Sequence, residues 1–184
     1  MDREDAQIYF YRIGVEYYVV GRFSYFCHYL LMTGVLFHHA IEMVLKGKLL
    51  DNFSAQQLKD QFGHNLHRLW NEFKRKCKDP SLRQYEGTIQ RLNRWEDLRY
   101  PPKKGSSSGG ISMSLDMRKG DKSGVTYPKM KEESKYKVNP EEMDELVKKL
   151  FSVTQINPKF FGEFTTGEAK IFYHKENRHP MEVG

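Results

Sequence analysis

Apolar side chains recur every three or four residues over most of the first hundred positions, which predicts a chain built mainly of amphipathic helices. From Ala6, the positions Tyr9, Phe10, Ile13, Tyr17 and Val20 form one stripe, and Gly21 predicts a break. A longer run of Phe23, Phe26, Cys27, Leu30, Gly34, Phe37, Ile41, Leu45 and Leu49 reaches around much of a helix and marks it as the most buried. Asp51-Asn52 ends it. Ser54 and Gln57 read as a capping box, with Phe53 and Leu58 at the positions of a hydrophobic staple, so a short helix over 55–62 closes at Gly63. Leu66, Leu69, Trp70, Phe73 and Cys77 predict the next helix. Asp79-Pro80 supplies a cap and a first-turn proline for another, which presents Leu82, Tyr85, Ile89, Leu92 and Trp95 and stops before Pro101-Pro102.

Beyond residue 100 the period changes. Residues 101–110 have the Pro, Gly and Ser content of a loop. Ile111, Met113, Leu115 and Met117 then alternate with polar residues, which predicts a strand. The turn-forming run 120–124 follows, with Val125 and Tyr127 as a return strand. Asn139-Pro140-Glu141-Glu142 starts a last helix whose stripe is Met143, Leu146, Val147, Leu150 and Val153. The aromatics after Asn157-Pro158 show no period. The expected fold is all-α: an up-and-down bundle of five or six helices over 1–156, a small basic β-hairpin inserted at 101–138, and a tail over 157–184.

Composition supports a packed core. Hydrophobic residues make up 39% of the 184, and 12 Phe and 11 Tyr are far from a disordered profile. The two cysteines, Cys27 and Cys77, fall in helical segments and read as buried or half-buried thiols of a reducing compartment. No apolar run is long enough to span a bilayer. The acidic start, Met1-Asp2-Arg3-Glu4-Asp5, does not look like a signal peptide, so a cytoplasmic protein without a membrane partner is expected.

The net charge of +6 is unevenly spread. Residues 74–137 hold 17 Lys and Arg against 8 Asp and Glu, whereas the segments on either side are each slightly acidic. A basic zone on a neutral body is the electrostatic footprint of a polyanion partner. Within it Arg91, Arg94 and Arg99 lie beside Trp95 and Tyr100. Arginine forks grip phosphate and an adjacent aromatic ring stacks a base, so these five residues, with Lys103, Lys104, Arg118 and Lys119, are the candidate nucleic-acid surface. The favoured structural reading puts Trp95 in the core and pairs the arginines with Glu96, Asp97 and Glu86.

Candidate chemistry is sparse. His38, His39 and Glu42 share a helix at spacings of three and four, which suits an acid–base or metal-binding pair, with His64 or His67 as a further ligand. The favoured reading is a buried polar network that ties helix to helix and holds the turn at Gly63, with no metal or cofactor. Neither a phosphate-binding loop nor a nucleophile set is present in the sequence.

The stretch Phe37-His38-His39-Ala40-Ile41-Glu42-Met43-Val44-Leu45-Lys46 resembles the H-A-x-E-x-x-L-K run of a HEPN-domain helix. Gly63-His64-Asn65-Leu66-His67-Arg68-Leu69 is similar to the G-H-x-L-x-x-L opening of a later HEPN helix, and Leu98-Arg99-Tyr100-Pro101 to the L-R-Y-P that ends the next. The resemblance covers about residues 5–155. It implies a helical bundle, often dimeric, in proteins that bind or cut nucleic acid or accompany nucleotidyltransferases. HEPN ribonucleases carry Arg-x4–6-His on a late helix, and here no histidine follows Arg91, Arg94 or Arg99 at that distance. Arg22 and His28 fit the bare spacing but lie on the wrong helix. The expectation is therefore a non-catalytic HEPN-like module that binds RNA or a nucleotide, as a homodimer. The alternatives are a divergent ribonuclease using His38, His39, Glu42 and His64, and a protein–protein adaptor or toxin–antitoxin partner.

Overall fold

A computed structural model describes residues 2–99, 113–115, 136–157, 167–168 and 171. Among these the chain is all-α, with six helices: α1 (Arg3–Phe26), α2 (Leu30–Leu49), α3 (Ala55–Phe62), α4 (Leu66–Cys77), α5 (Glu86–Asn93) and α6 (Pro140–Thr154). Two 3₁₀ segments, Pro80–Tyr85 and Arg94–Arg99, flank α5. No described helix is long and apolar enough to cross a membrane.

Helices α1 and α2 form an antiparallel hairpin, and its geometry corrects two expectations. Helix α1 runs straight through Gly21 to Phe26, and the reversal falls at Cys27–Tyr29, where His28 takes a φ of 59°. The predicted stripe of α1 lies at the edge of its buried face: Phe10 and Tyr17 pack half-buried against the core and Tyr9 and Val20 are exposed, while Ala6, Gly14, Val15, Tyr18, Val19, Gly21 and Arg22 are buried. Glycine explains both. A methyl group at Gly21 would lie 2.7 Å from the Phe37 ring, and one at Gly14 would lie 2.9 Å from Val44. The side chains that fill this seam therefore come from α2. Cys77 is half-buried as expected, whereas Cys27, at the end of α1, is exposed, and both are free thiols.

The central helix is α2, as its all-round apolar character predicts: Phe37, Ala40, Ile41, Val44, Leu45 and Leu49 are all buried. The start of α3 carries both halves of the capping box, Gln57 N donating to Ser54 Oγ at 3.1 Å and Ser54 N to Gln57 Oε1 at 2.8 Å. Gly63 ends it with a φ of 54°. Asn65 caps α4 through Arg68 N at 2.9 Å, and Asp79 caps the following segment through Ser81 N at 2.9 Å. That segment is not one α-helix but 3₁₀, α and 3₁₀ in turn; Leu82, Ile89, Leu92 and Trp95 still all reach the core. Gly34 is what admits Trp95, because any Cβ there would sit 2.1 Å from the indole.

Asn139 Oδ1 accepts from Glu141 N and Glu142 N to start α6, whose Met143, Leu146, Val147 and Leu150 are buried. Helix α6 is tied to α1 by Asp144, which accepts from the Tyr18 hydroxyl and lies 3.5 Å from the Arg22 guanidinium. The strand expected around Met113–Leu115 is present. It pairs in parallel with Tyr136–Val138, with Met113 opposite Tyr136. The return strand expected at Val125 and Tyr127, and nearly all of the tail, lie outside the described residues.

Candidate functional site

The densest polar cluster lies on the middle of α2, where it meets the α3–α4 turn and the end of α5. Positions 38, 39, 42 and 46 share one side of the helix because i, i+3 and i+4 stack along it. Glu42 is 0% exposed. Lys46 Nζ donates to its Oε1 at 2.6 Å. His64, one residue past Gly63 in the turn, brings Nδ1 to 3.0 Å from Oε1 and 3.2 Å from Oε2. His39 Nδ1 lies 3.2 Å from Oε2. Burial alone would push the Glu42 carboxyl upward; the neighbouring His38 and His39 imidazoles and the Lys46 ammonium more than reverse this and hold it far below the usual carboxylate range. Glu42 is therefore a permanent anion and not a proton donor at neutral pH.

His38 is set differently. It is 1% exposed, and its Nδ1 lies 3.0 Å from the Leu92 carbonyl oxygen, which only accepts, so Nδ1 carries a proton. Its Nε2 has no hydrogen-bond partner and faces two carboxylates, Glu42 Oε2 at 3.6 Å and Glu96 Oε2 at 3.7 Å. His39 and His64 are the members that reach the surface, with side chains 15% and 51% exposed. His67 stays out of the cluster: it is exposed, with Nδ1 3.5 Å from Asn71 Nδ2.

The arginine-rich segment is rearranged relative to expectation. Trp95 is fully buried against Gly34 and Tyr136, so its ring offers no face to a base. This is the core position that its place on the Leu82, Ile89 and Leu92 stripe predicts. Arg91 is paired with Glu142 of α6 and also donates to Thr88, in an open groove that Glu145 makes more acidic. Arg94 is exposed. The side chains of Arg99, Tyr100, Lys103, Lys104, Arg118 and Lys119 lie outside the described residues. Arg22 and His28, the chance Arg–His match, do not form a site: Arg22 is buried beside Asp144, and His28 stands in the exposed α1–α2 turn.

Sequence reasoning missed two features. Glu96 enters the cluster from 54 positions beyond Glu42, a distance no local pattern encodes. The second is a basic seam. His67 N donates to Asn93 Oδ1 at 3.3 Å, which brings the first turn of α4 against the end of α5. Arg68 and Arg94, each next in sequence to one of those partners, are both exposed and outside every ion pair among the described residues. Exposed Asn71 and Gln90 lie on the same two helices.

Comparison with protein-family models, with curated proteins and with solved structures finds no match for this chain.

Proposed function

We propose that this chain is a non-catalytic helical module that binds RNA or a nucleotide, with its phosphate contacts at the α4–α5 seam. The observation that carries this reading is that Arg68 and Arg94, both exposed and outside every ion pair among the described residues, are each next in sequence to a partner in the His67–Asn93 hydrogen bond. Free guanidinium groups are the strongest phosphate ligands a protein surface offers. The basic excess of 74–137 supports the same partner chemistry. The resemblance to HEPN domains remains part of this reading, and so does a homodimer, for which the exposed Val20, Tyr29 and Met32 are available apolar side chains.

The ribonuclease alternative has weaker support. His38 and Glu42 are buried, Glu42 is neutralised by Lys46, and Arg91 is committed to Glu142. An electrophoretic shift with end-labelled single-stranded RNA separates the readings. The binding module predicts a salt-sensitive shift with the RNA intact. Cleaved RNA would transfer the function to the histidines. Unshifted, uncut RNA would remove both and leave the protein-adaptor reading.

A further inference from the structure

His38 presents a buried nitrogen without a hydrogen-bond partner to two carboxylates, an arrangement that a cation between them would complete. A neutral imidazole with its proton on Nδ1 has a lone pair on Nε2, pointing here at Glu42 Oε2 and Glu96 Oε2. A buried polar atom left this way in a folded protein calls for an ion or a proton. We propose that His38 Nε2, His39 Nδ1 and Glu42 Oε2, with Glu96 at the fourth corner, bind one divalent transition-metal ion of the zinc class.

Four observations carry the assignment. First, the donor atoms of His38, His39 and Glu42 all lie within 4.8 Å of one another. The separations of 3.2, 3.6 and 3.7 Å among Oε2, Nδ1, Nε2 and Glu96 Oε2 bracket the roughly 3.4 Å edge of a tetrahedron with zinc-length bonds. They suit a shared ion better than direct hydrogen bonds from Nε2, for which 3.6 Å is too long. Second, the Leu92 carbonyl holds the far nitrogen of His38, which is how ligating histidines are oriented and kept in the correct tautomer.

Third, the two oxygens of Glu42 are divided between tasks. Lys46 is hydrogen-bonded to Oε1, and Oε2 faces His38 and His39, with His64 Nδ1 straddling both oxygens at 3.0 and 3.2 Å. Lys46 lowers the net charge of the site without filling the ligand position, and His64 stands over the carboxylate on the exposed side. Binding through His39 Nδ1 takes the neutral tautomer with its proton on Nε2, so a proton on Nδ1 is relocated to Nε2 and the imidazole stays neutral. Fourth, two imidazoles with two carboxylates select zinc and its neighbours over magnesium or calcium, which take oxygen ligands. The inference rests on the α2 cluster alone and stands whether or not the α4–α5 seam binds RNA.

The test is a titration of the chelator-stripped full chain with Co²⁺, followed by its visible ligand-field absorption and by displacement with Zn²⁺. The wild type is expected to take up one equivalent, with absorption of the tetrahedral type that Zn²⁺ abolishes. His38→Asn and His39→Asn, with helical circular dichroism retained, are each expected to weaken uptake by about 100-fold. A folded wild type that gives no saturable spectrum would overturn the proposal. Unchanged uptake in both variants would also overturn it. If either variant fails to fold, hyperfine-shifted imidazole N–H protons in the Co²⁺-loaded wild type decide. Shifted signals from two histidines, one of them the Leu92-bonded Nδ1–H of His38, uphold the site, and their absence overturns it.

Discussion

Lys46 and Glu42 form an ion pair one turn apart on the most buried helix, 2.6 Å between Nζ and Oε1, with the carboxylate fully enclosed. Such a pair is expensive to desolvate, and removing one partner is worse than replacing both. Lys46→Met is therefore expected to destabilise the fold by about 3–5 kcal/mol, because Glu42 stays buried and ionised. The double variant Glu42→Gln with Lys46→Met is expected to lose less than the sum of its parts. Urea unfolding midpoints of the four proteins give the coupling directly, and additive losses would show that the pair is not a unit.

Acid should expose the same group. The Glu42 carboxyl is held far below its ordinary value of 4.5 in the folded chain, so the unfolded state binds its proton first. The stabilisation is complete above about pH 4.5 and is lost progressively as the pH falls below it. Between pH 7 and pH 3 the wild type is expected to lose more stability than Glu42→Gln, measured as the change in urea midpoint. Equal losses would contradict this.

Two glycines in helices are expected to respond to alanine in opposite directions. Gly34→Ala places a methyl group 2.1 Å from the Trp95 ring, and overpacking of this kind costs about 1–3 kcal/mol even after the gain in helix propensity. At Gly87 of α5 the nearest atom is the mobile Arg91 head at 3.4 Å, so Gly87→Ala is expected to stabilise by about 0.5–1 kcal/mol. Thermal unfolding followed by tryptophan fluorescence distinguishes the two, and a Gly34→Ala protein as stable as the wild type would remove the reason given for that glycine.

Those glycines also mark where the fold was and was not legible. Local chemistry was readable wherever the partner lies within a turn: the Ser54–Gln57 box and the Asn139 cap are both formed as their spacing predicts. The phase of α1 was not readable, because Gly14 and Gly21 are on its buried face and the apolar atoms come from Val44 and Phe37. Glycine has no side chain to register in a periodicity. The α1–α2 reversal carries no Gly or Pro and depends on His28 adopting a positive φ. In the candidate site, the helical spacing of His38, His39, Glu42 and Lys46 was visible. The approach of His64 and Glu96 was not, because it depends on how the α3–α4 turn and the 3₁₀ segment 94–99 pack on α2.

Arg22 of α1 and Asp144 of α6 join the two ends of the described chain in the core, with Tyr18 on the same carboxylate. Asp144→Ala removes the carboxylate 3.5 Å from the buried Arg22 guanidinium and is expected to cost about 3–5 kcal/mol. Hydrogen exchange of α6 amides reads the effect locally: exchange should accelerate there first, and uniform acceleration would argue against a specific tie between α1 and α6.

The most direct test of the functional account is the salt dependence of single-stranded RNA binding, by fluorescence anisotropy, for the wild type and the variant Arg68→Ala with Arg94→Ala. Each phosphate contact on a single strand contributes about 0.7 to the slope of log affinity against log salt, so the double variant is expected to bind more weakly with a slope shallower by about 1.4. An affinity and slope equal to those of the wild type, or no RNA binding by the wild type at low salt, would contradict the account.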